Sequence, residues 1–139
     1  MWVVAHRGAE NQELENTLAA FRKAAELGAD AVEMDVHATF DHEVVVLHDT
    51  TAARVAAAGS PFAEVPVAGL RLEQVRRIRL RNGEGIPTLA EVTAAMELPM
   101  HAGGGEECGG GGGPPGLLPA APGGAGAGAV DLLPRSGSR

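Results

Sequence analysis

At 139 residues the chain has room for one domain with a core of modest size. Eighteen acidic against 11 basic residues argue against a nucleic-acid binder that relies on bulk positive charge, although one well-placed Arg or a bound cation can reverse the field locally for a phosphate-bearing substrate. A single cysteine, Cys108, excludes an internal disulfide and a cysteine-rich metal site.

The amino terminus carries an apolar run far shorter than a secretory core, and no stretch approaches the roughly 20 apolar residues that span a bilayer. A soluble, cytoplasmic protein is expected. With three Phe, one Trp and no Tyr, the apolar content comes largely from Ala and Val. Small side chains bury little area each, so stability per residue suffers.

Residues 2–5 read as a first strand, closed by His6-Arg7-Gly8 and followed by a polar loop through Glu15. Asn16 is the expected N-cap of a helix that begins at Thr17. In that helix Leu18, Phe21 and Ala25 recur at helical spacing, with Arg22, Lys23 and Glu26 opposite. Gly28 supplies the left-handed stop. Strand, helix and the next strand form a βαβ unit, which favours a parallel sheet with a right-handed crossover.

Residues 31–37 then put Glu33 and Asp35 on one face of a strand and Val32, Met34 and Val36 on the other. The two carboxylates sit about 6–7 Å apart along the strand, within reach of one hard cation. Residues 44–49 are a continuous apolar run that ends abruptly in His48-Asp49, as a buried parallel strand ends where it emerges at a working face.

Residues 50–69, rich in Ala, Pro and Gly, read as a covering loop. Leu72, Val75 and Ile78 predict a short amphipathic helix with Arg76, Arg77 and Arg79 on its wet side. Pro87 starts a further helix, in which Thr88 and Glu91 have the offset of a capping box. From residue 102 Gly, Pro and Ala dominate, and residues 102–139 are expected to be a low-complexity, disordered tail. The same composition is what GC-rich codons give in a shifted frame, an expectation that resequencing the locus tests.

Each polar patch is weak alone: a histidine at a strand end is commonly a satisfied one, and carboxylates at i and i+2 commonly mark a solvent face. In a parallel sheet both faces are covered, however, and buried carboxylates call for a partner such as a cation.

His6-Arg7-Gly8, residues 15–21, residues 28–36, Val46-Leu47-His48-Asp49 and Ile86-Pro87-Thr88-Leu89 stand in an order and spacing that resemble the glycerophosphodiester phosphodiesterase family. The resemblance covers residues 3–99. It implies an α/β fold, the N-terminal part of a TIM-type (β/α)8 barrel, and hydrolysis of glycerophosphodiesters to an alcohol and glycerol 3-phosphate. By that similarity His6 and His48 are the general acid–base pair and Arg7 holds a phosphate oxygen. Asn16 and Asp49 support the substrate site, and Glu33 and Asp35 bind a divalent cation, Mg²⁺ or Ca²⁺. A third carboxylate belongs on the next strand, where Glu106 is the nearest acid but lies in a glycine-rich setting unsuited to a strand. A whole barrel takes about 250 residues, and three strands are legible here. The chain is therefore expected to be incomplete, with an open sheet edge after the third strand that invites self-association. The alternatives are an inactive barrel fragment and a fragment completed by another chain.

Overall fold

Alternation of side chains along one eight-residue strand organises the molecule, whose computed structural model describes residues 2–104. This strand, β2 (Ala31–Ala38), turns Val32 and Met34 into an apolar core, while Glu33 and Asp35 leave from its other face. The first strand, β1 (Val4–His6), runs parallel to it with Val4 opposite Ala31 and His6 opposite Glu33. The parallel β1–helix–β2 unit expected from the pattern is present.

The next strand departs from expectation. β3 (Val44–Val46) is antiparallel to the far end of β2, with Val36 opposite Val46 and Ala38 opposite Val44. The reason is length. Five residues separate β2 from β3, and a parallel crossover needs a dozen or more. They close a hairpin in which Thr39 N–H donates to the Glu43 carbonyl at 2.8 Å and Glu43 N–H donates to Thr39 Oγ1 at 2.9 Å. β1 and β3 therefore follow one another along the same edge of β2.

The opposite edge of β2 is taken by β4 (Met100–Gly104), parallel from Val32–Met100 to Val36–Gly104. Among the described strands β4 in turn pairs with β2 alone. Ala102, Gly103 and Gly104, assigned by composition to the tail, complete this strand, because backbone pairing with β2 and burial against it outweigh the weak strand preference of glycine. Residues 105–139, with Glu106, Cys108 and the rest of the proposed tail, lie outside the described residues.

Helix α1 (Leu18–Glu26) packs against the sheet through Ala20, Phe21 and Ala24. Its N-cap is Thr17, whose Oγ1 accepts from Ala20 N–H at 3.1 Å; Asn16, the expected cap, is drawn away to Asp35. The buried stripe also differs from the expected one, with Ala24 inside and Ala25 exposed. Gly8 has φ 79°, and a Cβ there would meet the Ala20 carbonyl carbon at 2.7 Å, so the loop after β1 presses directly on the first turn of α1.

Two apolar clusters form. One lies between sheet and helices around Phe21, Val32, Met34, Val92 and Met100; the other lies beneath residues 50–86 and holds Val45, Leu47, Val55, Val75 and Ile78. The covering loop brings its own core residues. It leads through a 3₁₀ turn (Val67–Gly69) to α2 (Leu72–Val75), shorter than expected, beyond which Arg76, Arg77 and Arg79 are exposed as anticipated. Helix α3 (Leu89–Ala95) opens with the expected capping box of Thr88 and Glu91. No helix among the described residues is long and apolar enough to cross a membrane.

Candidate active site

Centrality in the sheet buries both acids of β2, Glu33 at 5% exposure and Asp35 at 6%. Asp35 Oδ2 accepts from Asn16 Nδ2 at 3.1 Å and lies 3.2 Å from Arg7 Nε, while Asp35 N–H donates to Asn16 Oδ1 at 3.4 Å. Glu33 Oε1 accepts from the backbone N–H of Arg7 at 3.2 Å and stands 3.7 Å from His6 Nε2. The strand end that carries His6 therefore delivers Arg7 and its own imidazole to the carboxylate pair.

Arg7 (φ 53°) and Asn16 (φ 54°) both adopt the left-handed region and are tied together, Asn16 N–H donating to the Arg7 carbonyl at 2.9 Å. Such backbone is costly for a residue with a side chain, on the order of 1–3 kcal/mol each. At both positions it aims a polar side chain at Asp35.

His48 and Asp49 follow β3 rather than ending it. Leu47 N–H donates to the Asp35 carbonyl at 2.9 Å, which anchors the chain just before them. His48 Nδ1 lies 2.7 Å from Asp49 Oδ1. The hydrogen bond from Arg54 leads in holding the Asp49 carboxyl down at about 2 against the opposing effect of burial, with His48 adding to it. An ionised carboxylate only accepts, so Nδ1 carries the proton and Nε2 is left for other work. By the same logic His37 Nε2–H donates to the His48 carbonyl, at 3.0 Å.

Arg54 joins the two halves. Its Nε donates to Asp49 Oδ2 at 2.8 Å and its Nη2 to Asp49 Oδ1 at 3.1 Å; its Nη1 and Nη2 donate to Glu15 Oε2 and Oε1 at 3.0 and 2.6 Å. Glu15 Oε2 is also 3.4 Å from Arg7 Nη1. Burial pushes the Glu15 carboxyl up, but the hydrogen bonds and charge of Arg54, together with the charge of Arg7, win and hold it below its ordinary value.

All seven residues singled out in the sequence (His6, Arg7, Asn16, Glu33, Asp35, His48 and Asp49) thus belong to one chain of contacts, closed by Glu15 and Arg54. Arg54 was not anticipated. Its one signal is that it is the sole basic residue between positions 50 and 70, a cation stranded in an apolar loop. Glu10, whose Oε2 meets His6 Nδ1 at 2.5 Å, gave no signal beyond its place in a polar loop.

These features define an α/β protein whose imidazole, guanidinium and carboxylate groups gather beyond the end of β1 and along the central strand. The chain belongs to the glycerophosphoryl diester phosphodiesterase family, whose model matches residues 6–103. It is 42% identical over 97 residues to a glycerophosphodiester phosphodiesterase of Caldanaerobacter subterraneus subsp. tengcongensis, a match that covers 65% of this chain and 38% of the relative. It is 40% identical over 100 residues to human glycerophosphodiester phosphodiesterase 1, covering 66% of this chain and 29% of the relative. Among solved structures, a glycerophosphodiester phosphodiesterase from Thermotoga maritima superimposes with a TM-score of 0.62 at 33% identity, over 73% of this chain and 43% of that one. An Oleispira antarctica phosphodiesterase in complex with the product sn-glycerol-3-phosphate does so with a TM-score of 0.63 at 26% identity, over 73% and 43%. The chain spans about two fifths of the length of these bacterial relatives.

Proposed function

We propose that the chain carries the N-terminal part of a TIM-type (β/α)8 barrel whose activity is metal-dependent hydrolysis of glycerophosphodiesters to an alcohol and glycerol 3-phosphate. One observation carries this reading: the contact network that brings two imidazoles, a guanidinium and two buried carboxylates into one site. Family membership and the sn-glycerol-3-phosphate bound to the Oleispira relative support the substrate class.

The residues fit a hard cation. Glu33 and Asp35 offer carboxylate oxygens from one face of β2, both buried. Mg²⁺ is held by one or two carboxylates together with waters and substrate phosphate oxygens, whereas Ca²⁺ takes about six to eight oxygens. Two buried carboxylates, completed by waters and substrate phosphate oxygens, can serve either ion. When bound, the cation would neutralise charge that develops on the nonbridging phosphate oxygens.

Of the five Arg7 donors, Nη1 bonds Glu15 while Nε faces Asp35 as an ion pair only, which leaves N–H groups for a phosphate oxygen. Asn16 fixes Asp35 from one side. Of the two imidazoles, the neutral one takes the proton of the attacking oxygen, and the protonated one gives its proton to the leaving alkoxide. His48 presents Nε2 for this because Asp49 holds Nδ1. His6 is oriented likewise by Glu10 at Nδ1, with Nε2 toward Glu33.

Hydrolysis of bis(4-nitrophenyl) phosphate by the full chain tests the reading. Turnover that needs Mg²⁺, stops on chelation and disappears in His48→Ala and Glu33→Gln is expected; undiminished turnover in His48→Ala overturns it.

A second reading, completion of the domain by another chain, is favoured by the outer side of β1, which among the described strands pairs with β2 alone. A groove of about 410 Å³ runs there between Val4, Ala9, Ala24 and Leu27, with Trp2, Val3 and Leu27 exposed beside it. Light scattering that finds a discrete oligomer, with turnover confined to it, selects this reading. A monomer with full turnover removes it.

A further inference from the structure

We propose that Arg54 is a positioning residue for His48: its guanidinium clamps Asp49 and Glu15 at once, and so fixes the carboxylate that sets the tautomer and aim of the His48 ring. Its effect on rate rests on the phosphodiesterase reading above. Its effect on the ring concerns this chain's own side chains and stands apart from turnover.

The geometry leaves Asp49 little freedom. Oδ2 takes Arg54 Nε at 2.8 Å, and Oδ1 takes both Arg54 Nη2, at 3.1 Å, and His48 Nδ1, at 2.7 Å. Rotation of the carboxylate away from the ring breaks two bonds to Arg54 as well as the one to His48. Both Glu15 oxygens are held by the same planar group, at 3.0 and 2.6 Å. Glu15 in turn touches Arg7. A rigid fork between two carboxylates therefore ties the loop that presents Arg7 to the segment that presents His48, across 39 positions of sequence.

A purely structural role is a poor account of this arrangement. The Arg54 side chain is 49% exposed, and exposed ion pairs contribute little to folding. The aim of the fork is its distinctive feature. Lysine brings the charge but one compact ammonium, which cannot grip two carboxylates in fixed planes.

The groups that face His48 are Asp49 at its ring and His37 at its carbonyl, with Arg54 and Glu15 behind Asp49. Removal of Arg54 takes away two of the three side-chain bonds that hold the Asp49 carboxylate. It also frees Asp49 to rotate, which lets the proton move to Nε2 in part of the molecules.

The test uses the full chain as wild type, Arg54→Gln and Arg54→Lys, with the His48 ring signals assigned by their loss in His48→Gln. Ring ¹⁵N shifts report the tautomer, and bis(4-nitrophenyl) phosphate reports kcat and KM. In Arg54→Gln the Nε2–H tautomer should appear, and kcat should fall about tenfold or more with KM little changed. Arg54→Lys, which keeps the charge but not the fork, should show the Nε2–H tautomer as well. A wild-type tautomer in a well-dispersed Arg54→Gln spectrum overturns the proposal. Should Arg54→Gln fail to fold, Arg54→Lys decides, and a wild-type tautomer ratio there overturns it equally. Absence of turnover in the wild type removes the phosphodiesterase reading of this chain, while the ring measurements still decide the role of Arg54.

Discussion

Arg54 Nη2 lies 2.6 Å from Glu15 Oε1, a contact between a loop that follows β1 and one that follows β3. The same guanidinium, by hydrogen bonding above all, holds the Asp49 carboxyl down at about 2, from an ordinary 3.8. Glu15 is likewise below its ordinary value once Arg54 and Arg7 have outweighed its burial. Folded-state values below the unfolded ones stabilise the fold fully above about pH 5 and lose that contribution as pH falls toward 2. For Asp49 this is about 1 kcal/mol or less after the discount for solvent around the half-exposed Arg54. Urea unfolding should show Arg54→Gln less stable than wild type by about that amount at pH 6, with the difference closing between about pH 5 and pH 2. A difference independent of pH breaks the assignment.

Substitution at Gly8 should cost more than at any exposed glycine. Its φ of 79° disfavours a side chain, and a Cβ would stand 2.7–2.9 Å from three Ala20 atoms, two of them backbone. Neither the helix nor the loop can give way without disturbing Arg7, the next residue back. Gly8→Ala should lose about 2 kcal/mol or more of stability. Gly59→Ala, at the same φ with no atom within 4 Å, should lose less than half of that. Equal melting temperatures for the two variants contradict the close approach.

The sequence made strand β2 legible because alternation puts Glu33 and Asp35 on one face whatever the neighbours are. The capping box of Thr88 and Glu91 was legible for the same local reason. Non-local facts were hidden. The direction of β3 follows from the length of its hairpin rather than from its Val-rich composition, and β4 is a strand because β2 offers a free edge to a segment whose glycines argue otherwise. Asn16 failed as a cap because Asp35, 19 positions on, competes for its amide. Arg54 could be seen only after the fold had brought positions 15, 49 and 54 together.

Helix α3 has seven residues, too few to persist without its ends secured. Thr88 Oγ1 accepts from Glu91 N–H at 3.1 Å, and Glu91 Oε1 accepts from Thr88 N–H at 2.8 Å. That backbone bond leads in holding the Glu91 carboxyl below its ordinary value. Thr88→Ala should lower stability by about 1 kcal/mol. It should do so with little change in turnover, since the Thr88 side chain bonds only to Glu91 in the cap and its bridge to Val45 of β3 is made by backbone that the substitution keeps. Thermal melts paired with the nitrophenyl ester assay check both halves of that statement.

The register of β4 decides where a third carboxylate can act. Gly103 is the partner of Asp35 and His101 the partner of Glu33, and partners on parallel strands leave the sheet on the same face about 4.8 Å apart. Positions 101 and 103 therefore both share the face of the acids; the buried His101 fills the first and glycine leaves the second open to a carboxylate, whereas Glu106 lies outside the described residues. Gly103→Glu places three carboxylates together. Without a cation their mutual repulsion and burial should lower stability by about 1–3 kcal/mol. With Mg²⁺ the same crowding becomes a fuller oxygen cage, so affinity should rise about tenfold or more over wild type. Calorimetric titration with Mg²⁺, together with melts in chelator and in millimolar Mg²⁺, reads both effects. A variant whose melting temperature ignores Mg²⁺ shows that side chains at 103 do not face Glu33 and Asp35, and with that the placement of the cation on this face of β2 fails.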